Sequence, residues 1–305
     1  MKRSNVLVDY EGSSEEELES KEPVKKRKLP ALSSSMVVPV PVDDPSRHQG
    51  RTRCTPHVEG QWAVHVYVPV VVERSSHICQ LLRQAFETAK ESVPPLQSLS
   101  GLDTEQPPSK NFELHISLSR PVFVRGHQRE EIKRCVRQIA QSNSPFRASF
   151  SSFSVFTNDE KTRSFLAVDI GGGFKELKIL SGGLTPTLQT LRQKAYYSDP
   201  RFHASFAWAL LDLPSAAGSQ KLSKKDGDFV VLSEAAGTVC DEDIDIVTSV
   251  SLSTNFPRIP RFPDSLATTL NDRYKATLYS KSGIFDVRQV NVKIGKEIFS
   301  WTLRG

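Results

Sequence analysis

Two short segments, ELHISLS at residues 113–119 and RFHASFA at residues 201–207, decide how this chain folds. In the first, Phe112, Leu114, Ile116 and Leu118 alternate with Glu113, His115, Ser117 and Ser119; in the second, Phe202, Ala204, Phe206 and Trp208 alternate with His203, Ser205 and Ala207. A period of two predicts strands with one buried face, and it puts His115 with Ser117, and His203 with Ser205, on the opposite faces. The same His-x-Ser pattern occurs twice, so the chain reads as two related halves. Each half buries its apolar side against helices, and a pseudo-twofold axis between the halves brings both His/Ser pairs into one cleft.

The sequence around these segments supports that reading. Trp62, Val64, Val66 and Val68 alternate as a strand, and from Ser75 onward Ile78, Leu81, Leu82, Ala85, Phe86 and Ala89 form one helical stripe. Ile132, Cys135, Val136, Ile139 and Ala140 form a second stripe after the first His-x-Ser strand. Residues 146–157 and 163–170 read as strands around the turn Asn158-Asp159-Glu160-Lys161, and Gly171-Gly172-Gly173 ends the second. Thr185 and Pro186 read as the N-cap and first residue of a further helix carrying Leu188, Leu191 and Ala195. Residues 284–293 and 297–304 form a hairpin turning at Gly295, and residues 214–246, which lose periodicity, read as a surface insertion. The expected fold is α/β (α+β) over residues 49–305: two lobes, each an antiparallel sheet with outer helices, around a central groove.

Composition narrows the class. The 305 residues are 38% hydrophobic and 25% charged, enough apolar material for one large or two small cores, which excludes a fibrous or wholly disordered chain. Residues 1–48 differ: acidic EGSSEEELESKE and a Pro/Ser/Val-rich stretch predict a disordered tail, and Lys25-Lys26-Arg27-Lys28 within it reads as an accessible nuclear-import signal. The net charge of +5 suits a phosphate-rich partner. Cys54, Cys79, Cys135 and Cys240 show no CxxC spacing, so neither a zinc site nor a disulfide framework is expected. No segment approaches the roughly 20 apolar residues of a membrane helix, and Met1-Lys2-Arg3 leads into acidic sequence; both point to a soluble intracellular protein.

Two facing imidazoles suit phosphodiester chemistry. One, neutral, accepts the proton of an attacking hydroxyl while the other, protonated, donates to the leaving oxygen, and the two serine hydroxyls hold non-bridging phosphate oxygens. His203 is assigned as base and His115 as acid, although a symmetric pair carries no cue to direction. His48, His57, His65, His77 and His127 are read as exposed or structural. Glu113 alone stands beside His115, without the carboxylate cluster a two-metal nuclease needs, so no metal or other cofactor is expected.

The paired His-x-Ser strands resemble the 2H phosphoesterase superfamily. GRTRCTPHVEGQWAVHVYVPV (50–70), VFTNDEKTRSFLAVDI (155–170) and YYSDPRFHASFAWAL (196–210) resemble more narrowly the family of U6 small nuclear RNA 3′-end processing phosphodiesterases, over about residues 50–305. The resemblance implies a metal-independent, nuclear, monomeric 3′-to-5′ exoribonuclease. Such an enzyme trims the single-stranded oligouridine end of that RNA and leaves a cyclic or opened terminal phosphate. By the same resemblance His115, Ser117, His203 and Ser205 match the catalytic tetrad, and Tyr197 matches a tyrosine that stacks on uracil. Where family members often carry Cys-Lys-x-Gly-Asn-Lys, this chain has Val292, Lys293, Gly295, Lys296 and Glu297, of which Lys293 alone is carried over as a phosphate contact. The rival activities are 2′,3′-cyclic nucleotide hydrolysis or RNA-end ligation and, outside enzymes, an RNA-binding scaffold.

Overall fold

Strand β1 (Gln61–Val72) sets the plan of the molecule: Val64, Val66, Val68, Val70 and Val72 are buried on one face, while His65, Tyr67, Pro69 and Val71 project from the other. The computed structural model describes residues 44–52, 55, 58–99, 101–102, 111–212 and 256–305. Most of the expected tail, with its basic run, and the insertion at 214–246 lie outside the described residues. After β1 come α1 (His77–Ser92), β2 (Gln97–Ser98), β3 (Phe112–Ser117), β4 (Val122–Arg125), α2 (Arg129–Gln141), β5 (Phe146–Thr157), β6 (Arg163–Ile170) and α3 (Phe174–Thr190). The chain continues through β7 (His203–Leu211), β8 (Arg258–Ile259), α4 (Leu266–Leu278), β9 (Ile284–Val287), β10 (Gln289–Ile294) and β11 (Glu297–Thr302).

The main sheet order is β11-β10-β1-β3-β7-β6-β5-β9, with β4 paired to β1 and the short β2 and β8 paired to β7. All pairings are antiparallel except β7 with β8. Four strands, β11-β10-β1-β3, make one lobe and four, β7-β6-β5-β9, the other, so the order is symmetric about the β3/β7 seam. At that seam the register is Ile116 opposite Ala204. The expected two-lobed, pseudo-twofold α/β architecture is what the chain adopts, with the lobes joined edge to edge through the two His-x-Ser strands.

Helices cover the apolar side. The N-cap of α1 is Ser76, whose hydroxyl accepts from the Cys79 amide at 3.3 Å, and its stripe Leu81, Leu82, Ala85, Phe86 and Ala89 is buried as the spacing predicts. α2 buries Ile132, Val136, Ile139 and Ala140 and places Glu130 and Glu131 in its first turn, where the helix dipole favours anions. α1 packs beside α4 and α2 beside α3.

Two local expectations are corrected. Thr185 and Pro186 do not start a helix: α3 begins at Phe174, behind Gly173 at φ +85°, and Pro186 lies inside it. The stripe Leu177, Leu180, Leu184 and Leu188, buried throughout, extends through the proline. Burying each leucine contributes about 1.5–3 kcal/mol, and together they outweigh the roughly 3 kcal/mol cost of an internal proline. The segment 284–293 is also not one strand: β9 pairs with β5 in one lobe and β10 with β1 in the other, and Arg288 alone separates them. The hairpin between β10 and β11 does turn at Gly295, with φ +60°.

Candidate active site

The seam register carries the site. With Ile116 opposite Ala204, the antiparallel ladder sets His115 opposite Ser205 and Ser117 opposite His203, all four on the face turned away from the helices. Ile116 and Ala204 are fully buried on the core side, which locks this parity, since a one-residue slip would turn the histidines into the core. The predicted tetrad is therefore brought together at the seam where β3 and β7 pair.

His203 is held on two sides. Its Nδ1 lies 2.7 Å from the Arg201 carbonyl oxygen. A carbonyl only accepts, so Nδ1 bears the proton and Nε2 is the nitrogen presented to the groove. The Phe156 ring stacks on the imidazole with centroids 3.7 Å apart. Across the ladder stands Asp169, whose carboxylate accepts from Ser152 at 3.2 Å and from Ser154, and pairs with Arg201 at 3.3 Å. Burial lowers the His203 pKa below the ordinary imidazole value, against the Arg201 carbonyl and Asp169, which both act to raise it.

On the other lobe, His115 faces the cationic side of the groove. Burial lowers its pKa first, followed by the neighbouring charges of His203 and Lys293. Lys293 pairs with His65 across β10 and β1, which places the carried-over lysine on the groove face beside His65 and His115. His65 is not the bland residue expected from sequence. Its Nε2 is 3.0 Å from Ser117 Oγ, and its ring meets His115 edge-on at 5.3 Å and stacks on Tyr67 at 5.4 Å. Its pKa is pushed down to about 3 by burial, then by His115 and Lys293.

Beside Ser117 and His203 a cavity of about 370 Å³ opens, lined also by Phe156, Phe165, Arg120 and Tyr197, within the size range of small-ligand sites. Tyr197 is 43% exposed; the Arg120 guanidinium lies 3.9 Å from its ring centroid, and its hydroxyl donates to Asp159 at 3.0 Å. Arg120 also pairs with Asp159 at 2.7 Å, so Tyr197 is braced at both ends. The sequence reading assigns no role to Asp169, Arg201, Phe156 or Arg120 and takes His65 as exposed or structural. Strand parity alone could have flagged His65 and Asp169, but which strands flank β3 and β7 is a tertiary fact.

Among the described residues no group of three or more His, Cys, Asp or Glu side chains is placed to hold a metal ion, and no helix is long and apolar enough to cross a membrane. The family model HVSL, described as an uncharacterised conserved protein, matches residues 27–302. U6 snRNA phosphodiesterase 1 of Drosophila melanogaster is 29% identical over 230 residues, covering 68% of this chain and 83% of that protein. The Xenopus laevis protein of the same name is 28% identical over 215 residues, covering 68% of this chain and 80% of its own. Among solved structures, Kluyveromyces marxianus Usb1 aligns with a TM-score of 0.48 at 15% identity, covering 80% of this chain and 99% of that one.

Proposed function

The chain belongs to the HVSL family, and on that premise we propose that it is a phosphodiesterase that shortens the 3′ end of U6 snRNA. The observation that carries this reading is the seam at Ile116 and Ala204, which sets two His/Ser pairs around one groove. The similarity to proteins named U6 snRNA phosphodiesterase 1 supports that choice of substrate. The catalytic groups are His115 and His203, with Ser117 and Ser205 holding phosphate oxygens, Lys293 adding a cation and Tyr197 stacking on a base. The enzyme acts as a monomer in the nucleus, where its substrate is processed.

In the proposed step the 2′-hydroxyl of the penultimate ribose attacks the adjacent phosphorus. One imidazole takes the hydroxyl proton, the P–O5′ bond breaks, and the other imidazole gives its proton to O5′. The terminal nucleoside leaves, and a 2′,3′-cyclic phosphate remains until it is opened. His203 can serve through Nε2 because Nδ1 is committed to the Arg201 carbonyl. Both proton transfers are supplied by side chains, so the step needs no metal.

Incubating 5′-labelled RNA ending in oligouridine with the protein, with and without EDTA, tests this reading. A ladder of shortened products in both conditions is expected. Altered ends without shortening would mark the cyclic-phosphodiesterase or ligase reading instead, and binding without change would mark a scaffold.

The pH dependence carries a second expectation. The active form holds one proton between two imidazoles, and in the free protein burial lowers both pKa values below the ordinary 6.5. The singly protonated state is thus most populated below pH 6.5, so kcat/KM, which reports the free enzyme, should peak there. A bound phosphodiester anion favours imidazolium, so kcat should peak at higher pH than kcat/KM. Coincident profiles centred above neutrality would refute this.

Tyr197→Ala should act on binding. Losing one base–aromatic stack of about 1–3 kcal/mol corresponds to a KM increase of roughly 5- to 150-fold. The histidines are untouched, so kcat should stay within a few-fold. An unchanged rate at subsaturating RNA would remove Tyr197 from the site.

A further inference from the structure

We propose that His65 is a positioning residue for Ser117: its Nε2–H donates to Ser117 Oγ at 3.0 Å, leaving the serine's own proton for a phosphate oxygen. This rests on the phosphodiesterase reading above. A serine hydroxyl has one hydrogen to give. If the imidazole accepted that hydrogen, Ser117 could offer a phosphate only lone pairs, which repel it; if the imidazole donates, the hydroxyl keeps its proton and its rotor is fixed in advance.

Several features make His65 suited to that task. The register puts Tyr67, not His65, opposite Ser117, so the contact is a diagonal reach that the ring holds through its packing on Tyr67 and against the edge of His115. With its pKa pushed down to about 3, the ring stays neutral through the working range and acts as a fixed dipole, not as a proton carrier. The two halves differ here: opposite Ser117 stands Tyr67, on which the His65 ring packs, whereas opposite Ser205 on β6 stands Ala167, which has no ring to hold such a partner in place. The two serines of the repeat are therefore unequal, and the hydroxyl of Ser117 is the one prepared before the substrate arrives.

The test is a cycle of His65→Leu, His65→Gln and Ser117→Ala, assayed for trimming of oligouridine RNA. His65→Leu should lower kcat by about 10- to 100-fold with KM little changed, the effect of a misplaced group at the reacting phosphate. His65→Gln, whose side-chain amide reaches the place of Nε2, should recover most of the loss and leave both limbs of the pH profile in place. In the Ser117→Ala background His65→Leu should cost no more than about twofold, because the group it serves is gone. Full additivity, no rescue by glutamine, or a moved pH limb in His65→Gln would overturn the proposal. ¹⁵N NMR of the wild-type protein should show His65 as the neutral Nε2–H tautomer, and an Nδ1–H tautomer would overturn the donor assignment without any turnover being needed. Absence of trimming by the wild-type protein would instead refute the phosphodiesterase reading; trimming abolished by His115→Ala but untouched by His65→Leu would refute the role of His65 alone.

Discussion

Alanine at His115 or at His203 is expected to lower the single-turnover rate of trimming by about 10²- to 10⁴-fold, the usual contribution of a positioned acid or base. The histidines are half-buried on the groove face, and the neighbours that hold the seam, Ile116 and Ala204, point the other way into the core. Each variant should therefore fold and melt close to the wild-type temperature, which separates lost chemistry from lost structure. The double variant should be little slower than the worse single one, since removing either proton transfer already breaks the concerted pair. His203 has the larger stake in its surroundings: Phe156 stacks on it, and Arg201, whose carbonyl fixes its tautomer, also places its guanidinium 4.6 Å from the Phe156 ring centroid. A variant of either histidine that kept more than about a tenth of the wild-type rate would take that residue out of the proton-transfer steps.

What could be read in advance follows from where the information lies. Strand parity is local, so the alternation in β3 and β7 was enough to place four side chains on one face, and the repetition of the pattern was enough to expect two lobes. The stripes of α1 and α2 were legible for the same reason. Pro186 misled because a proline after a threonine is a good local start signal, yet the buried leucines from Leu177 to Leu188 decide the matter over three further turns. Arg288 was illegible because nothing in the local text says that strands one residue apart will join different lobes. His65 reads as exposed or structural for a related reason. Its parity along β1 was visible, but its worth depends on β1 lying against β3, on the reach to Ser117, and on Lys293 arriving from the far end of the chain. The Asp169 cluster likewise needs β5, β6 and the Arg201 turn to meet. For Arg288, His65 and Asp169 the missing element is a pairing between distant segments, which composition and periodicity do not encode.

The nucleophile itself gives the most demanding prediction. Two substrates are compared, one with 2′-deoxyribose only at the penultimate nucleotide and one with it only at the terminal nucleotide. The first should not be cut to a detectable extent, because the hydroxyl whose proton the imidazole would accept is missing and no neighbouring atom can close the five-membered cyclic phosphate. The second should be cut at nearly the all-ribose rate, because its leaving O5′ and its scissile phosphate are unchanged. Both carry the same charge and almost the same stacking surface for Tyr197, so a difference between them in single turnover isolates chemistry from binding. If the penultimate-deoxy substrate were digested efficiently, the attacking oxygen would have to come from water. The His115/His203 pair would then be activating that water, and the product would be an open phosphate formed without a cyclic intermediate.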